Sequence, residues 1–411
     1  MRRRRPHAER PDETFWGPEG ARRFPLSGSV VVDALATVVV LLVIGTLVGL
    51  AILWPHGKLA AHGPLGPVRT YGAVIQRTED VPCRLSASHS CRIAQVKLLG
   101  GPQKGHTTRL TTVSEAGALS LSAGDRIRVY KNVVPPGATT HIDPYSFADF
   151  DRRGPMFWLA IGFGVLLLAT GRLHGLRALV ALGASMVLIV AFVVPAILHG
   201  SSPLAVAIVG AFAVMLLMMP LSYGLGAKSM AAWVGTALSL LLAAGLALGF
   251  THLAHLSGAA SDETVYLAAS QSHLSLQGLL VAGMVIGALG VLVDLTVSQA
   301  STVIALRRVN PSLGFGGLFR GALEVGHDHI AATVATLVFA YAGASLPVLL
   351  IFSIGGTSFT DAINGEAVAD QVIAALVGSI GLIASMPITT ALAALLAPRM
   401  SDRQLATAHA H

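Results

Sequence analysis

The sequence predicts a polytopic α-helical membrane protein of about eight transmembrane helices, with a small extracytoplasmic β-rich domain between the first two. Three observations carry that prediction. Of the 411 residues 53% are hydrophobic and only 12% are charged, where a soluble domain carries about 25% charged residues. The apolar residues gather in runs long enough for about 20-residue spans. Lys and Arg fall in alternate connections between those runs, the distribution that sets orientation in a bilayer.

The runs are Ala34 to Trp54, Pro155 to Gly171, Leu176 to Leu198, Pro203 to Tyr223, Ser229 to Phe250, Leu276 to Leu306, Ile330 to Ser353 and Ala367 to Leu396. The first follows the basic stretch MRRRRPHAER. It is too long for a secretory signal and is followed by no small-x-small cleavage site, so it is expected to be a retained anchor. With the N-terminus inside, the inner segments hold the basic tail, Arg172 and Arg177, Lys228, Arg307, Arg308 and Arg320, then Arg399 and Arg403. The short outer connections 199–203, 251–275 and 354–366 hold no Lys or Arg. An even number of spans places both termini in the cytoplasm. The expected organisation is a basic tail (1–33), an anchor (34–54), the outer domain (55–153), a seven-helix membrane domain (154–397) and a short cytoplasmic tail (398–411).

The net charge of +7 follows from the cationic bias of cytoplasmic loops and from a tail able to lie on anionic lipid. No basic helix interleaved with aromatics argues for nucleic acid. The expected partners are therefore the bilayer, protons, and an unidentified small molecule or protein.

Segment 55–153 has a different texture. RTYGAVIQRT, CRIAQVKLLGG, HTTRLTTV and GDRIRVYKN are short, often β-branched runs cut by Gly and Pro, and predict strands. In the last of them Ile127 and Val129 alternate with Arg126, Arg128 and Tyr130. The chain's two cysteines, Cys83 and Cys91, both lie here. An oxidising location and an even count favour a disulfide, with two free thiols as the alternative. Two cysteines supply half a tetrahedral metal shell and no fourth ligand stands near His89, so no metal is expected. No phosphate loop or catalytic triad spacing is present, and the expectation is a sensing, docking or gating module rather than an enzyme.

The sixth run is not plain. Gly283, Gly287, Gly290, Asp294, Ser298, Ser301 and Ala305 recur at three- and four-residue intervals, making one helix face a stripe of small and polar groups. A charged carboxylate near mid-bilayer costs at least about 2.5 to 3.5 kcal/mol, so Asp294 is expected to be protonated, paired or hydrated. That stripe is expected to pack on protein or water, with Ser298, Gln299, Ser301 and Thr302 as its polar lining. The seventh run opens with Glu324, His327, Asp328 and His329, followed by Thr333 and by a second small-residue face through Ala332, Thr336, Ala340 and Pro347. If the two faces meet, Asp294, His327, Asp328, Thr333 and Thr336 belong to one polar track. His327 and His329 are two apart, about 200° around a helix, and make a poor metal pair; for Asp328 a helix N-terminal charge is the alternative to a proton relay.

GMVIGALGVLVDLTVSQAST and ALEVGHDHIAATVATLVFAYAGASLPVLLIF resemble the YibE/F-like membrane proteins, as do PLSYGLGAKSMAAWVGT and the layout of anchor, outer domain and seven further helices. The resemblance implies a multipass membrane protein of a family without a settled activity, often described as permeases. Where that family shows Gly-Arg-Asp, this chain has Gly326-His327-Asp328, a titratable group in place of a fixed cation. A looser similarity to the membrane cores of RND-type transporters maps onto Asp294, Arg307, Arg308, Thr333 and Thr336. The expected function is a proton-coupled permease with Asp294 as proton carrier, needing no cofactor. The alternatives are a receptor or assembly factor acting through the outer domain and, more remotely, a membrane enzyme. The expected location is a bacterial plasma membrane.

Overall fold

The computed structural model describes residues 28–57, 69–82, 90–114, 121–132, 143–224, 227–271 and 273–400. The chain divides into two compact units, Ala60–Ala169 and the remainder.

In the smaller unit five strands form one sheet: β1 (Thr70–Pro82), β2 (Ser90–Leu98), β3 (Thr107–Ser114), β4 (Arg126–Lys131) and β5 (Tyr145–Phe150). Their order is β3-β2-β1-β4-β5, and every pairing is antiparallel. β3 and β5 approach one another, with the Thr111 amide donating to Asp143 Oδ2 at 2.9 Å, so the sheet curls into a half-barrel. Alternation supplies its core. Ile75, Val96, Ile127 and Val129 are buried, while Gln95, Lys97 and Arg126 between them are exposed, the period-two pattern of a sheet with one wet face. The four strands expected from sequence are present as β1 to β4. β5 was not expected: YSFADF is short, begins after a proline and carries a single clear core residue, Tyr145. Arg92 binds Asp80 through two contacts, at 2.6 and 3.1 Å. Cys91 stands opposite Val81; Cys83, the other half of the expected disulfide, lies outside the described residues.

The helices are α1 (Gly28–Leu53), α2 (Arg153–Leu188), a π-helical turn (Ile189–Val193) leading into α3 (Val194–Leu198), α4 (Pro203–Tyr223), α5 (Ala227–Leu253), α6 (Asp262–Ser270), α7 (Leu276–Val309), α8 (Phe315–Ile354), α9 (Phe359–Asn364) and α10 (Glu366–Leu396). Among the described residues seven helices are long and apolar enough to cross a membrane. One of the seven runs from Arg153 to Leu198 and would be about 69 Å long if straight at 1.5 Å per residue, more than twice the hydrocarbon thickness. It is broken at Arg172, whose backbone has φ 48 and ψ −125. The connection expected between the second and third spans is thus reduced to one non-helical residue. The short helices α6 and α9 occupy the connections 251–275 and 354–366, where none was expected; each is capped by a serine hydroxyl, Ser261 and Ser358.

In the larger unit α10 packs against α5, α7 and α8, and α7 against α5 and α4. Buried side chains such as Leu240, Leu292, Ala300, Val303 and Ala394 fill the space between them. Small residues let these backbones approach. A Cβ on Gly235 of α5 would overlap Thr389 of α10.

Candidate functional site

α7 has two unlike faces. Leu292, Val293, Leu295, Thr296, Gln299 and Ala300 are buried, whereas Gly283, Gly287, Gly290 and Asp294 are exposed. The stripe read from the sequence is therefore a real face, and within this chain it is largely uncovered. An added Cβ at Gly283 or Gly290 would meet nothing within 4 Å. The stripe and α8 approach one another at two points: the Tyr341 hydroxyl lies 3.2 Å from the position of a Gly287 Cβ, and His329 Nε2 lies 3.9 Å from Asp294 Oδ2. The small residues of α8, Ala332, Thr336, Ala340, Gly343 and Pro347, are exposed.

Asp294 sits near the middle of the 34 residues of α7, with 68% of its side chain accessible. At 3.9 Å the His329 contact is an ion-pair distance and too long for a hydrogen bond. His329 Nε2 is itself shielded and has no hydrogen-bond partner among the described residues. The arrangement gives Asp294 one titratable neighbour and otherwise an open face. Its ionised form is tolerable there only against water, protonated His329 or another protein surface; its neutral form is tolerable against hydrocarbon.

The remaining track residues are dispersed. His327 and Asp328 are exposed, and it is His329, not His327, that approaches Asp294; the 200° between the two histidines lets only one face α7. Ser301 donates to the Val297 carbonyl at 2.6 Å, Thr302 to Ser298 at 3.0 Å, Thr333 to His329 at 2.7 Å and Thr336 to Ala332 at 2.9 Å. Each is thus satisfied within its own helix. Ser298 is half-buried beside Asp294. Gln299 faces the other way. It is 1% exposed, its Oε1 accepts from Thr390 Oγ1 of α10 at 3.1 Å, and its amide occupies the space that a side chain at Gly326 of α8 would fill.

Gln299, expected in the lining around Asp294, belongs instead to a buried polar layer whose assembly the sequence did not reveal. Thr236 of α5 and Thr296 of α7 share a hydrogen bond of 2.7 Å, and Thr389 and Thr390 are fully buried beside them on α10. A second carboxylate was also missed. Asp370, in the second turn of α10, is 7% exposed, and its Oδ1 has no hydrogen-bond partner among the described residues. The sequence signal for Asp370 was the one available for Asp294, an acid inside an apolar run, but it lies close enough to the helix start to read as a terminal charge. Among the described residues no three His, Cys, Asp or Glu side chains gather to hold a metal ion.

The model of the YibE/F-like protein family matches residues 159–399, more than half of the chain and all of α4 to α10. No curated protein and no solved structure matches the sequence.

Proposed function

The chain belongs to the YibE/F-like protein family, and on that premise we propose that it is a proton-coupled permease in which Asp294 carries the proton. The supporting observation is the accessible Asp294 carboxylate at mid-helix with His329 3.9 Å away. Protonation of Asp294 removes the cost of a charge against hydrocarbon, and its ionisation restores it. The two states therefore favour different coverings of the α7 stripe, and a proton can bias one helix arrangement over another. Counting residues 153–171 and 173–198 separately gives eight spans, and the Lys and Arg distribution puts both termini on the cytoplasmic side of a bacterial plasma membrane. The half-barrel then lies outside, where Cys83 and Cys91 form a disulfide.

A second reading, a receptor or assembly factor, is favoured by one observation: the half-barrel has its own buried core and is compact enough to bind a partner by itself.

Proteoliposomes holding wild type or Asp294→Asn, under an imposed potential with a pH-sensitive dye inside, separate the two. Flux through wild type that falls at least about tenfold in the variant is the expected result. Flux that is equal in both would overturn the assignment of Asp294.

A further inference from the structure

A cavity of about 630 Å³ opens where α4 and α7 begin and α5 ends, at the opposite end of α7 from its arginines. It falls within the volume range of small-molecule sites. The two helix N-termini meet closely there: a Cβ on Gly278 of α7 would lie 3.4 Å from the Pro203 ring of α4. Both helices thus direct the positive ends of their dipoles and their unpaired first-turn amides into the same space, α4 with one amide fewer because its first residue, Pro203, has no N–H. In α7 one of those amides, Gly278, is satisfied by Ser275 Oγ at 3.0 Å. Ser202 at the start of α4 makes no side-chain cap.

Two like-signed helix ends side by side favour something negative between them, and the C-terminal ends of α3 and α5 at the same cavity supply only partial negative charge. Among the described residues the lining contains no carboxylate. The nearby acid on α10, Glu366, is committed elsewhere, accepting from the Ser257 amide and hydroxyl and from the Gly258 amide at 2.6 to 2.9 Å. What the lining offers is donors: Ser201, His252, His273 and Thr251. Thr251 is the independent sign. It is 1% exposed, and its Oγ1 has no hydrogen-bond partner among the described residues. Many helical hydroxyls of this chain, Thr46, Thr236, Ser239 and Ser345 among them, donate to the carbonyl one turn back, while Ser222, Ser379 and Thr389, which do not line the cavity, share with Thr251 the lack of a partner among the described residues. Thr251 forgoes that bond at the cavity wall.

We propose that this cavity binds an oxyanion, a phosphate or carboxylate group, held by the first-turn amides of α4 and α7 and by Thr251 and His273. The site is separate from Asp294 and does not depend on proton transport. Phosphate and carboxylate occur both on free solutes and on anionic lipid headgroups, and the test distinguishes them.

Full-length protein in a neutral detergent is titrated by calorimetry with sodium phosphate, sodium hexanoate and a short-chain phosphatidylglycerol, at constant ionic strength in chloride. Saturable binding of at least one titrant is expected, weakened about tenfold in Thr251→Val and in His273→Gln. Binding of the phospholipid alone assigns the site to a headgroup; binding of phosphate or hexanoate assigns it to a free solute. Should Thr251→Val fail to fold, His273→Gln, at an exposed position, carries the comparison. No saturable binding of any titrant, or unchanged affinity in a folded His273→Gln, would overturn the proposal.

Discussion

Asp294 and Gln299 stand five positions apart on α7, about 140° around the helix, and they have opposite fates. Gln299 is locked among three helices, whereas Asp294 faces outward with one distant neighbour. Gln299 also explains the glycine in the Gly-His-Asp motif, because its amide takes the place of a side chain at position 326. Gly326→Ala is therefore expected to destabilise the membrane unit by about 1 to 3 kcal/mol through overpacking. Pairing it with Gln299→Ala should return part of the loss, as read from melting temperatures in detergent; additive losses would contradict the contact. In the half-barrel the Arg92 guanidinium, hydrogen-bonded to Asp80, holds that carboxyl below the usual carboxylate range. The stabilisation is present above the ordinary aspartate pKa of about 3.9 and is lost as pH falls through the lowered folded value. Asp80 is solvent-exposed and Arg92 partly so, and the effect is small. Asp80→Asn should exchange its strand amides slightly faster than wild type at neutral pH, and the difference should close in strong acid.

The elements were legible where length and periodicity were strong. β1 to β4 follow from β-branched runs punctuated by Gly and Pro, and α1, α4, α5, α7 and α10 from their apolar runs; α8 begins at Phe315 and not at the expected Ile330, so Asp328 lies inside it and is not a charge at its N-terminus. β5 was not legible, because its burial does not alternate and Tyr145 is its single clear core residue, and α6 and α9 were not, because six to nine residues make fewer than three helical turns. The break in α2 was placed correctly between Gly171 and Leu176, but its compactness was not foreseeable: an arginine at φ 48 is a conformation that favours glycine. Arg172→Gly should therefore leave thermal stability unchanged or raise it by up to about 1 kcal/mol, whereas the β-branched Arg172→Val should lower it by a similar amount. Equal melting temperatures for the two variants would contradict that backbone.

For the whole molecule, the sequence identified a membrane-type helical protein with a separate β unit; the apolar helices agree with the first part, and the matched family covers residues 159–399, outside the β strands. The candidate site was legible only as a list. Asp294 could be picked out because an acid interrupts a run of Gly, Val and Leu, but which histidine it faces depends on how α8 rotates against α7. Asp370 and the Thr236–Thr296 pair depend on helix packing order, which a single sequence does not encode. The central claim concerns one proton on one carboxylate, and infrared difference spectroscopy of the reconstituted protein across a pH step tests it most directly. A protonated-carboxyl stretch that titrates in wild type and in Asp370→Asn but is missing from Asp294→Asn is the predicted result. A titrating band that persists in Asp294→Asn and disappears in Asp370→Asn would contradict it and move the proton to α10.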